Sequence, residues 1–209
     1  TAARVESLAR AILAARAQRL DDAAGHLATA ARVVDDDRAS AIEVALGQAH
    51  LASRAAPGEV PAALAPVEGW LAALTGDAAA CLRARWVGQV AHAHNHAGRI
   101  DDALALHAAL PDDAATPAFA RSRRANGLAY GLHRQGDRVG ALVEARRAAT
   151  FAGDAGHVRL RAMALLMVAR IAGPGPEGRD AHARAAAIAA ALADDTLAHR
   201  CRVAARDVA

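Results

Sequence analysis

Apolar positions recur along this chain three and four residues apart, in runs broken by short polar or glycine-containing stretches. That spacing places the apolar side chains on one face of an α-helix. The clearest example runs from Ser122 to Ala152. A first helix carries Ala125, Leu128, Ala129 and Leu132 on one stripe, Gln135-Gly136-Asp137 breaks it, and a second carries Ala141, Leu142, Ala145, Ala148 and Ala149. Gly136 suits the left-handed position that closes many helices. The preceding pair follows the same plan: Val87, Val90, Ala91 and His94, then Ala97-Gly98-Arg99, then Ile100, Ala103, Leu104 and His107. Breaks or N-caps fall at Asp35-Asp36-Asp37, Pro111-Asp112-Asp113, Thr116-Pro117, Gly153-Asp154 and Asp194-Asp195. Thr116 and Pro117 read as an N-cap and first helical residue. The pattern predicts helices near 3–18, 21–35, 38–54, 60–74, 77–97, 100–110, 117–135, 138–152, 155–172, 177–193 and 195–207. Pro66 should kink the fourth helix or begin it.

The helix pairs repeat. Arg19-Leu20-Asp21-Asp22-Ala23 returns as Arg99-Ile100-Asp101-Asp102-Ala103, with Val60-Pro61-Ala62-Ala63-Leu64 between them and Val139-Gly140-Ala141 and Arg179-Asp180-Ala181 after. Ala23, Ala63, Ala103, Ala141 and Ala181 are spaced by 40, 40, 38 and 40 positions. A fixed period of this size marks stacked supersecondary units. Residues 1–209 therefore read as one all-α domain, an α-solenoid of about five antiparallel helix pairs.

Composition strengthens the helical reading. Apolar residues make up 54% of the 209, but only 2% are aromatic. Alanine is the best helix former, whereas strands favour β-branched and aromatic side chains. Every one of the 25 basic residues is arginine, against 22 acidic ones. A formal charge of +3 is a weak footprint for nucleic acid, and stacking aromatics are scarce. The arginine- and alanine-rich, lysine-free composition points to a GC-rich bacterial genome. Cys81 and Cys201 form no CxxC motif and read as buried reduced thiols of a cytoplasmic protein. The most apolar run, 160–172, is too short to span a bilayer and contains Arg161 and Arg170.

The pattern Leu128-Ala129-Tyr130 … Gly136-Asp137 … Ala141 … Ala145 … Ala148 resembles the tetratricopeptide repeat. That motif carries small residues at its eighth and twentieth positions. Ala129 and Ala141 match them here, as do Ala91 and Ala103 one unit earlier. The period exceeds the family's usual one, most of its large residues are replaced by Leu, Ala or His, and its closing proline is matched only at Pro111. In those departures, and at Ala145-Arg146-Arg147-Ala148 … Arg159-Leu160-Arg161-Ala162, the chain is similar to the sensor arrays of large ATP-binding LuxR-type regulators and actinomycete antibiotic regulatory proteins. The resemblance implies a right-handed α-solenoid that binds a partner or effector. It carries over no catalytic residue and no cofactor.

Four features invite a chemical reading. His92 and His96 stand at i, i+4, the spacing of two metal ligands on one helix, with His50 or His133 as candidate third ligands. The plain alternative is a semi-buried His94 that packs while His92 and His96 face solvent. Gly173-Pro174-Gly175-Pro176-Glu177-Gly178 matches GxGxxG, but the dinucleotide fingerprint follows a strand; here the segment reads as a stiff turn between helices, with Pro176 near the next helix start. The pairs Asp21-Asp22, Asp101-Asp102, Asp112-Asp113 and Asp194-Asp195 read as helix-start acids that complement the helix dipole. Arg121, Arg123, Arg124, Arg134, Arg138, Arg146 and Arg147 form a basic excess that suits phosphate, an acidic partner or simply a solvated helix surface.

In tetratricopeptide arrays the first helix of each pair lines the inner face. That resemblance places His92, Asn95 and His96 on one unit's inner face and Arg123, Asn126, Tyr130, His133 and Arg134 on the next, with His50 and Arg54 alongside. The resulting expectation is a regulatory interaction module, without enzymatic activity or cofactor. It would bind a protein or peptide of acidic character, with no membrane or nucleic-acid partner, and a homodimer is an open alternative. The competing reading is a small-ligand or metal-binding helical module that uses the histidine-rich face.

Overall fold

The computed structural model describes residues 2–33, 37–53 and 56–208. Among them are eleven α-helices and no strand: α1 (Ala2–Arg16), α2 (Leu20–Ala31), α3 (Arg38–Ala52), α4 (Val60–Ala72), α5 (Gly76–His96), α6 (Ile100–Ala108), α7 (Ala118–Gln135), α8 (Arg138–Asp154), α9 (Val158–Ala172), α10 (Pro176–Ala191) and α11 (Asp195–Ala204). Short 3-10 turns at Pro57–Glu59 and Ala205–Asp207 complete the order. Each helix overlaps the segment expected from the apolar pattern; the expected ends at 35 and 54, with Asp35 and Asp36, lie outside the described residues, and the other ends differ by at most a few residues. The all-α reading holds. The chain divides into two compact units, residues 1–99 with α1–α5 and residues 100–209 with α6–α11.

Within each unit sequential helices pack on one another. Alternate helices meet as well: α1 with α3 and α3 with α5 in the first unit, α7 with α9 and α9 with α11 in the second. This is the contact order of stacked helix pairs. Close approach depends on small residues. Ala129 and Ala141 are fully buried, as are Ala145 and Ala148 of α8 and Ala162 of α9. Ala91 and Ala103 are both 1% exposed. The alanines aligned with the motif's two small positions thus lie in the core.

One repeat position departs from the expectation. Ala23, Ala103, Ala141 and Ala181 are buried, but Ala63 is exposed. In α4 the buried stripe is Val60, Leu64, Val67 and Leu71, so Leu64 faces inward beside Ala63. Larger residues at i, i+4, i+7 and i+11 set the rotation of this helix, and the alanine follows them outward. Pro66 neither starts α4 nor ends it; it sits inside, on the exposed side, and the helix begins at Val60 with Pro61 in its first turn. Proline is tolerated in that first turn because no intrahelical acceptor awaits its missing N–H.

The helix ends use a few recurring devices. Asp37, Asp137 and Asp194 each accept a backbone N–H three residues on, from Ser40, Gly140 and Leu197. Each satisfies an orphan donor of the first turn. Gly136 closes α7 with φ +89°, a conformation glycine adopts without steric cost. The Thr116–Pro117 expectation shifts by one residue. Pro117 is the N-cap of α7, and Thr116 instead turns back onto Asp113, which accepts from both its amide and its hydroxyl. Asp112 and Asp113 therefore belong to the α6–α7 connection and not to a helix start. Asp21-Asp22 and Asp101-Asp102 do lie in the first turns of α2 and α6.

In the first unit, Arg4 is 5% exposed and donates to the carbonyls of Ala30, Val33 and Asp37. It caps the C-terminal end of α2 from the neighbouring helix. Cys201 is buried and Cys81 half-buried; both are free thiols, and burial raises both above their ordinary range. Among the described residues no helix is long and apolar enough to cross a membrane.

Candidate functional site

The histidine cluster occupies the last turns of α5. His92 and His96 are exposed, and their rings meet edge to face with centroids 4.5 Å apart. His94 is half-buried, near the end of the helix. Asn95 is half-buried, and its Oδ1 is buried without a hydrogen-bond partner. A zinc site needs three or four converging ligands. Among the described residues no group of three or more His, Cys, Asp or Glu side chains is placed to hold a metal ion. Within the first unit His50 does not supply a third ligand. His50 is exposed on α3, and Arg54 lies outside the described residues.

The GxGxxG segment is a turn between two helices. α9 ends at Ala172, Gly173 follows with φ +73°, and Pro176 opens α10. A Cβ on Gly178 would stand 1.9 Å from the carbonyl oxygen of Gly173. The glycine is there for chain contact and not for a phosphate.

The arginines of the second unit divide by role. Asp112, on the α6–α7 connection, accepts from Arg121 Nε at 3.3 Å, Arg124 Nη1 at 3.0 Å and Arg147 Nη2 at 2.5 Å. Burial pushes its carboxyl up, but the bonds from Arg147 and Arg121 and the charge of Arg124 more than offset that. The group sits below the ordinary carboxylate range. Arg124 also donates to the carbonyl of Leu110. Arg121 lies 4.0 Å above the centre of the Phe151 ring, and Arg147 reaches the same ring at 5.6 Å. Arg138 donates to the carbonyl of Ala172, and Arg146 pairs with Glu177 through two 2.7 Å bonds. Much of the basic excess is therefore structural, tying α7, α8 and α10 to their neighbours.

The face of α7 that carries Arg123, Asn126, Tyr130, His133 and Arg134 is different. Its opposite sides are committed to packing: Gly127 and Gly131 face His107 and Leu104 of α6, and the Ser122 hydroxyl donates to the Ala148 carbonyl of α8. The remaining side is a polar stripe. Arg123, Asn126, Tyr130 and His133 are half-buried and Arg134 is exposed. Arg123 lies over Phe119 at 5.9 Å, and Arg134 donates to the Tyr130 hydroxyl at 3.1 Å. Asn126 Oδ1 is buried without a hydrogen-bond partner. Residues 123, 126, 130, 133 and 134 fall on one side of α7 at helical spacing.

Three features of the second unit were not legible as chemistry in the sequence. His107 is 6% exposed, its Nδ1 has no hydrogen-bond partner, and its pKa is pushed down to about 4 by burial and by the charges of Arg123 and Arg124. Asp112 looked like a helix-start acid. Glu144 accepts from Arg147 through one oxygen and keeps the other buried without a partner. His107 did sit on the apolar stripe of α6, which was the one available signal.

Comparison of the chain with protein-family models, with curated proteins and with solved structures finds no match.

Proposed function

We propose that this chain is a non-catalytic helical-repeat interaction module of tetratricopeptide type that binds a protein or peptide of acidic character. The observation that carries the reading is the α7 stripe. Two guanidiniums eleven residues apart, Arg123 and Arg134, share one half-buried polar face with Asn126, Tyr130 and His133, on a helix held on its other sides by α6 and α8. A rigid helix that displays planar cations suits carboxylates, which guanidinium groups can bind through two parallel hydrogen bonds. The repeat pattern assigns the corresponding face of the first unit to His92, Asn95 and His96. By the same resemblance the module is the sensor part of a bacterial transcriptional or signalling regulator in the cytoplasm.

Selection from a displayed library of random peptides tests this. Enrichment of Asp- and Glu-rich sequences is the expected result, together with their loss on Arg123→Glu/Arg134→Glu. Selection of neutral or basic sequences, or equal recovery by the double variant, would remove the α7 face as the binding surface.

A further inference from the structure

A concavity separate from the α7 face lies between α8, α9 and α10. Its volume is about 300 Å³, at the small end of the ~300–1,000 Å³ typical of ligand sites. Leu165 and Val168 of α9, with Ala149 of α8 and Ala181 of α10, give it apolar walls. Three arginines stand around them. Arg146 is held by Glu177 in a two-bond pair that joins α8 to α10, and Arg184 pairs with Asp180 at 3.3 Å. Arg161 is exposed, lines the groove, and has no ion-pair or side-chain hydrogen-bond partner among the described residues.

We propose that this groove binds a small aliphatic monocarboxylate, its head on Arg161 and its hydrocarbon over Leu165 and Val168. The charge arithmetic selects one negative group: three guanidiniums face two carboxylates, and the two paired cations are already neutralised. Glu177 and Asp180 repel a second negative charge on the ligand. The lining holds no aromatic ring on which a base would stack, which disfavours nucleotides. Arg161 and Val168 are seven residues apart, two turns and ~10 Å along the same side of α9. The cation and the apolar wall are thus separated in the manner of an amphiphile's head and tail. A carboxylate on Arg161 gains a charge-assisted contact, and each buried methylene adds to it by leaving water.

Isothermal titration of octanoate into the full chain tests the proposal, with acetate and inorganic phosphate as comparison ligands. Saturable one-to-one octanoate binding is expected, with acetate and phosphate much weaker. Arg161→Glu should weaken octanoate more than ~tenfold, the scale of losing a charged hydrogen bond. Arg202→Glu, the same charge change at an exposed residue of α11, should not. Thr150→Trp fills the groove without altering its charge and should also block binding, with circular dichroism confirming that each variant is folded. Methyl NMR shifts should centre on Leu165 and Val168. Phosphate binding as tightly as octanoate, undiminished affinity in Arg161→Glu, methyl shifts elsewhere, or no saturable octanoate binding would each overturn it.

Discussion

Gly127 of α7 lies against the ring of His107 so closely that a Cβ built on it would stand 2.2 Å from both Cε1 and Nε2. The glycine is there for space, since its φ is not in the left-handed region. Four residues on, a Cβ on Gly131 would stand 2.5 Å from a methyl of Leu104. The pair lets α6 and α7 approach, and either substitution must displace a buried side chain. Gly127→Ala should destabilise by about 1–3 kcal/mol. Gly25→Ala is the control, because nothing lies within 4 Å of its added methyl within α2. There the gain in helix propensity should stabilise by ~0.5–1 kcal/mol. Urea unfolding of both variants measures the difference in sign.

His107 also makes stability depend on pH. Its folded pKa is lowered from 6.5 to about 4, so the folded state resists a proton that the unfolded chain accepts. Above pH 6.5 both states are neutral there and the contribution is fully present. It is lost as pH falls from 6.5 towards 4 and then levels off. A gap of this size corresponds to about 3 kcal/mol. His107→Leu should remove that part of the pH dependence and cost little at pH 8, because it also removes a buried unpartnered nitrogen. Thermal melts from pH 8 to 4 on both proteins give the comparison; parallel curves would mean that His107 is not the group responsible.

Asp112 should act at lower pH. Its carboxyl lies below the ordinary value of 3.8, so its contribution is present above that value and lost as pH falls through the folded pKa. Asp112→Asn leaves Arg121, Arg124 and Arg147 without their shared carboxylate and should cost about 2 kcal/mol at neutral pH. The change should leave the step between pH 6.5 and 4 intact. An unchanged urea midpoint would show that the three arginines find equal partners elsewhere.

Ala129 and Ala141 are both fully buried where α7 and α8 pack. Ala129→Trp and Ala141→Trp should each destabilise by about 1–3 kcal/mol or more through overpacking. Ala63→Trp, on the exposed side of α4, should be tolerated. Circular dichroism melts that rank Ala63→Trp with the other two would contradict the rotation of α4.

Helices, breaks and buried alanines were legible because each is a local property. The apolar stripe of α7 and α8 fixes which face is inward, and Gly136 fixes where the first helix stops. The rotation of α4 was not legible from the repeat. Alignment on alanine ignored that Val60, Leu64, Val67 and Leu71 bury more apolar surface than Ala63 can. For the α7 surface, the repeat resemblance put Arg123, Asn126, Tyr130, His133 and Arg134 together. It could not tell them from Arg121, Arg124 and Arg147, which converge on Asp112 from α7 and α8. That distinction depends on contacts between residues far apart in sequence. So does the burial of His107, whose place on a stripe gave its side but not its neighbours.

The most direct measurement is the affinity of a selected acidic peptide for the parent and for Arg123→Glu/Arg134→Glu, at low and high salt. The account predicts tight binding by the parent at low salt, weakening as salt rises because screening reduces exposed charge contacts. It predicts no measurable binding by the double variant, with helical content unchanged. Equal affinity of the two proteins at both salt concentrations would contradict it.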